Sequence, residues 1–157
     1  MATCYLNGKY LPLSKANISI TDRGLQFSDG VYEVIGVYEG KLVDIDLHLK
    51  RLKRSLKEIK IQIKLSSEEI LKIANKIKKK DKLENGIIYI QITRGNQNPR
   101  DHKYTNNLKP NIMIYSIYKN LKLNDQLSLK GVSVITYPDI RWLRPDIKSI
   151  SLLANVM

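Results

Sequence analysis

VYEVIGVYEGKLVDIDLHLKRLKRSLKEI, residues 31–59, changes its hydrophobic period part-way along. The first half is rich in β-branched and aromatic residues, and Glu39-Gly40 divides it as a hairpin turn would. From Asp44 onward the apolar positions are Ile45, Leu49, Leu52, Leu56 and Ile59, at steps of four, three, four and three. That spacing is one face of an amphipathic helix, with Asp44 or Asp46 as its cap. A hairpin that runs straight into such a helix predicts a sheet packed against helices.

The flanking sequence extends the pattern in both directions. Upstream, residues 3–12 alternate around Asn7-Gly8, a strong hairpin dipeptide, and NISI (17–20) reads as a short strand. TDRGLQFSDG (21–30) is rich in Gly and Asp. Downstream, Ser66 and Glu69 have capping-box spacing and open a second helix with Ile70, Ile73 and Ile77 on one face. Gly86 is expected just past its end. IIYIQITR (87–94) and IMIYSIY (112–118) read as central strands, and GVSVITY (131–137) as a further one. The expected class is α/β (α+β): an N-terminal domain of antiparallel sheet and two helices over 1–120, a linker at 121–130, and the start of a second, incomplete β-rich domain over 131–157.

Composition narrows the function classes. The chain has 157 residues, 43% of them hydrophobic, enough for one domain and a piece of another. No signal peptide or membrane-length apolar run is visible. Cys4 is the single cysteine, which excludes an intrachain disulfide and a cysteine-based zinc site and fits a cytoplasmic setting. The net charge is +12, distributed as −2 over residues 1–49, +9 over 50–82 and +5 over 83–157. The basic excess therefore belongs to the outer faces of two helices that contain no aromatic residue. A solvated face is the expectation there, not a base-stacking nucleic-acid surface.

Four positions carry potential chemistry. Arg100 and His102 lie two apart in the polar loop GNQNPRDHKYTNN (95–107), longer than usual connections. In an extended segment they point the same way, and together they suit a carboxylate; the alternative is a solvated loop. Tyr32, at the start of a strand, either packs or donates to a carboxylate. Lys148 lies between two isoleucines. Burial there would favour its neutral form, a nucleophile able to form a Schiff base, although one lysine in so basic a chain is a weak signal. His48, on the first helix, reads as a surface or packing histidine. Two histidines without a carboxylate cluster make no metal site, and Walker-type, GxGxxG and GxSxG motifs are absent.

DRGLQFSDGVYEV (22–34), HLKRL (48–52), IYIQITRG (88–95), PRDH (99–102) and DIRWLRPDIKSISLL (139–153) occur in the order and at the spacings of one family. The chain resembles the class IV (fold-type IV) pyridoxal-phosphate aminotransferases across essentially its whole length, and within them the D-amino-acid (D-alanine) aminotransferases. The resemblance implies that Lys148 carries pyridoxal 5'-phosphate as a Schiff base and shuttles the proton, and that Arg51 holds the cofactor phosphate. Tyr32, Arg100 and His102 are implied to trap the substrate carboxylate, the last two across a homodimer interface. The implied reaction converts D-alanine and 2-oxoglutarate to pyruvate and D-glutamate. The Arg-x-His pair favours this over a branched-chain L-aminotransferase or an aminodeoxychorismate lyase. A non-catalytic basic fragment that binds nucleic acid is the remaining alternative.

Leu25 and Ser28 depart from the aromatic and glycine expected at those places in the first motif. Family members are also roughly twice this long, and their glutamate for the pyridine nitrogen lies downstream. Leu152, Leu153, Val156 and Met157 read as the first turns of an apolar-faced helix without a stop signal. The expectation is thus a truncated chain, inactive alone or active with a second polypeptide that supplies the remainder.

Overall fold

The computed structural model describes residues 2–157, with side chains throughout except at 121–124. β1 (Thr3–Leu6) and β2 (Lys9–Pro12) form the hairpin expected at Asn7-Gly8, whose φ angles of 48° and 93° are both left-handed. Two positive φ values at the turn centre match the right-handed twist of paired strands, and Asn-Gly adopts them at least cost. α1 (Arg23–Phe27) follows, then β3 (Gly30–Tyr38) and β4 (Lys41–Leu42), which turn at Glu39 and Gly40 as expected. α2 (Ile45–Glu58) and α3 (Ser67–Lys80) lead to β5 (Gly86–Thr93) and β6 (Asn111–Tyr118). The six strands make one antiparallel sheet in the order β2-β1-β6-β5-β3-β4.

One face of this sheet carries the core. Val31, Ile35 and Val37 of β3, Ile88, Ile90 and Ile92 of β5, and Ile114 of β6 form a single buried cluster with helix residues. α2 contributes Leu49, Leu52 and Leu56, and α3 contributes Ile70, Ile73 and Ile77, the positions marked by the helical spacing. Ser66 and Glu69 close the expected capping box, each side chain bonding the other's backbone N–H. The basic residues Lys50, Lys53, Lys57, Lys72, Lys79 and Lys80 are exposed, while Lys78 donates to the Gly40 carbonyl.

Several expectations are corrected. Residues 17–20 form no strand, and Ile20 is largely exposed. Asp44 occupies the cap position of α2 with φ 48° and makes no side-chain cap bond, and Asp46 lies inside the first turn. Gly86 does not end α3, whose C-cap is Asp81; it opens β5, where a Cβ would strike the Ile117 carbonyl of the next strand. Within the expected linker at 121–130, Leu121–Lys130 forms helix α4, in keeping with its Leu, Lys and Gln content. GVSVITY is not a strand among the described residues. Val132, Val134 and Ile135 are exposed and unpaired, since β propensity makes a strand only where a partner edge exists. α5 (Leu153–Val156) lies where a helix was expected. Among the described residues, no helix is long and apolar enough to cross a membrane.

Candidate active site

β4 covers β3 only at Val37 and Tyr38, which leaves the other end of that edge open. The segment carrying Lys148 fills it. Tyr32 N–H donates to the Lys148 carbonyl at 3.0 Å, Ile150 N–H donates to the Gly30 carbonyl at 3.1 Å, and Ser149 stands opposite Val31. The other side of the segment is tied to α2. Lys148 N–H donates to Ser55 Oγ at 3.2 Å, Arg54 donates to the Asp146 carbonyl, and Arg144 pairs with Glu58 at 2.7 Å. Ile147 is buried in the core cluster and anchors the whole. A lysine on a surface loop would wander, whereas this one has its main chain fixed between a strand and a helix.

The Lys148 amine lies 4.2 Å from the centroid of the Tyr32 ring, a cation–π distance. Among the described residues it has no hydrogen bond or ion pair. Tyr32 stacks on Tyr89 at 6.0 Å, and Tyr89 meets Tyr115 at 5.2 Å. Burial, with the neighbouring phenols, pushes the Tyr89 phenol up to about 12. It therefore stays protonated near neutral pH and donates to Gln91 Oε1.

Glu33 follows Tyr32 on β3 and points to the opposite, buried face, with 0% exposure. Arg51 grips it side-on, Nε to Oε1 at 2.7 Å and Nη2 to Oε2 at 2.6 Å. This hydrogen-bonded carboxylate raises the pKa of the guanidinium. His48 Nδ1 lies 2.7 Å from Oε2, so His48 is a partner of a buried acid and not simply a surface or packing residue. Tyr32, Arg51 and Lys148 are thus gathered around one end of β3.

Arg100 and His102 sit elsewhere. The Arg100 guanidinium lies 4.4 Å over the Phe27 ring and the His102 ring is 5.4 Å from it. The two are side by side on one aromatic, as the spacing suggested, but neither hydrogen-bonds to Tyr32 or Lys148 among the described residues. Their loop is clamped by Arg23, which donates to the carbonyls of Asp101 at 2.6 Å and His102 at 2.9 Å and pairs with Asp29. Asp29 also accepts from Arg94. Burial opposes its charge, but hydrogen bonds from Arg94 and Arg23 outweigh burial and hold its carboxyl below the usual range.

Sequence reasoning missed Glu33, Arg23, Asp29 and Arg94. Glu33 had a readable signal, a charge on the buried side of an alternating strand between Val31 and Ile35. The signal at α1 was Asp22, whose side chain accepts from Gly24 and Leu25 N–H as an N-cap. Among the described residues no group of three or more His, Cys, Asp or Glu is placed to hold a metal ion.

The antiparallel sheet backed by helices is shared with known proteins that this chain matches. The pattern of the family described as Amino-transferase class IV matches residues 30–157, and the chain belongs to that family. Among curated proteins it is 41% identical to the D-alanine aminotransferase of Staphylococcus aureus (strain MSSA476), over 100% of this chain and 55% of that protein. It is 37% identical to the D-alanine aminotransferase of Listeria monocytogenes, over 97% of this chain and 53% of that protein. The chain thus spans about half the length of the curated relatives it matches. Among solved structures, the Escherichia coli branched-chain amino acid aminotransferase superposes with a TM-score of 0.70 at 17% identity, over 74% of this chain and 40% of that one. The branched-chain aminotransferase of the archaeon Thermoproteus uzoniensis, solved with norvaline, gives 0.64 at 20% identity, over 75% and 41%. Another branched-chain enzyme, solved with pyridoxamine 5'-phosphate, gives 0.69 at 20% identity, over 75% and 40%. These structures share the fold.

Proposed function

We propose that this chain takes part in pyridoxal-phosphate-dependent amino transfer from D-alanine to 2-oxoglutarate, yielding pyruvate and D-glutamate. The observation that carries the reading is the amine of Lys148 seated on the Tyr32 ring, in a chain related over its whole length to D-alanine aminotransferases. The donor set suits the cofactor, which presents an aldehyde and a phosphate on a flat ring. Lys148 offers an amine with no carboxylate partner among the described residues, Tyr32 a flat neighbour, and Arg51 guanidinium N–H groups beyond those Glu33 consumes. When bound, the cofactor supplies the electron sink for a substrate carbanion.

The chain's residues do the rest. Lys148 binds the cofactor and then holds and moves the proton at Nζ, its main chain kept still by β3 and Ser55. Arg51 holds the phosphate. Tyr32, Arg100 and His102 orient the substrate carboxylate, with Arg100 and His102 reaching the site of a second copy in a homodimer. Their common seat on Phe27 keeps the two side chains side by side, as joint recognition of one carboxylate requires. Residues 1–120 would act as the smaller domain, 121–130 as the connection and 131–157 as the beginning of the next, in a cytoplasmic protein.

The test uses a chimera in which this chain replaces the matching half of the S. aureus relative. Pyruvate formation from D-alanine is expected, with little from L-alanine and none in Lys148→Ala. Arg100→Ala should raise the KM for D-alanine by about ten- to hundredfold, as loss of a charged hydrogen bond implies. A preference for L-alanine would overturn the proposal.

A further inference from the structure

We propose that Glu33 is the positioning residue for Arg51: its buried carboxylate sets the direction of the guanidinium, so that the remaining N–H groups face a phosphate. This rests on the reading of Arg51 as the phosphate-holding residue. A guanidinium has five N–H donors. Glu33 takes one from Nε and one from Nη2, leaving three, among them both on Nη1, on the side away from the carboxylate. The Arg51 side chain is 43% exposed while that of Glu33 is 0% exposed. The cation is therefore held from behind and presented outward.

His48 completes the grip. An ionised carboxylate only accepts, so His48 Nδ1, at 2.7 Å from Oε2, must carry the proton and donate. The same nitrogen then cannot accept from Arg51 Nη2, 3.4 Å away. His48 fixes Oε2 from a second side and takes no donor from Arg51.

A purely structural role explains this poorly. Burying an ion pair contributes little net stability, and an apolar residue between Val31 and Ile35 would join the core at lower cost. What a carboxylate does and an apolar residue cannot is orient a planar, forked donor, and bidentate geometry fixes both distance and angle. Tyr32 and Glu33 are adjacent on β3, so the same short stretch of strand seats the Lys148 amine on one face and aims Arg51 from the other.

The experiment measures dissociation constants for pyridoxal 5'-phosphate and for pyridoxal, which lacks the phosphate, with the whole chain by tyrosine and tryptophan fluorescence quenching. Glu33→Gln keeps the shape but turns one acceptor into a donor. It should weaken pyridoxal-phosphate binding by about ten- to hundredfold and leave pyridoxal binding unchanged, which also shows that the variant is folded. Glu33→Asp should recover part of the loss. In an Arg51→Ala background, itself selectively weak for the phosphate form, Glu33→Gln should add nothing further.

Equal loss for both ligands, or a loss that persists undiminished without Arg51, would overturn the positioning role while leaving Arg51 as the phosphate residue. Unchanged binding in Arg51→Ala, or no binding by the unmutated chain, would overturn both readings.

Discussion

The amine of Lys148 rests 4.2 Å from the Tyr32 ring centroid, and its own peptide carbonyl accepts from Tyr32 N–H. One residue thus holds the lysine twice, through its ring and through its backbone. Only the ring contact is open to mutation. Tyr32→Phe keeps an aromatic face and should leave Lys148 modification by pyridoxal phosphate near normal, while Tyr32→Ala, which removes the ring that seats the amine, should slow it; equal rates in all three proteins would remove the ring from the account. Asp29 makes a second prediction at this scale. Its folded-state pKa lies below the ordinary value, so its contribution is present above the unfolded carboxylate pKa of about 3.9 and is lost as pH falls through the folded value. Urea midpoints should drop on acidification in the native protein, and Asp29→Asn should lower the neutral midpoint while flattening that drop.

At the scale of elements, α2 and α3 are held by packing more than by their own propensity. Leu52 is 1% exposed, and Leu52→Ala should cost about 2–5 kcal/mol in a denaturant titration. Ser66→Ala removes one half of a capping box and should cost about 1 kcal/mol. These helices were legible because an amphipathic face and a cap are local features written in consecutive residues. Both hairpins were legible for the same reason. GVSVITY was misleading because strand formation is decided elsewhere: the free part of the β3 edge is taken by residues 148–150. α1 escaped notice because five residues are too few to show a helical period.

Over the whole molecule, the sheet, the two helices and the lysine segment are joined through Ile147, Ser55 and the edge of β3. The site was legible only in part. Chemistry alone does not single out Lys148 among the basic residues; the resemblance across the chain is what proposes it as the cofactor lysine, and the structure shows its main chain held at a strand edge. Glu33 could have been found from its place on a buried strand face. Arg23 could not, because its partners are backbone carbonyls of a distant loop. The central claim is that Lys148, among many lysines, is the one presented to the cofactor. Treating the chain with pyridoxal 5'-phosphate, reducing with borohydride and mapping the labelled peptide by mass spectrometry tests it directly. Label concentrated on Lys148, and lost in Lys148→Ala, is the expected result; label spread over the exposed lysines of α2 and α3, with Lys148 unmodified, would contradict it.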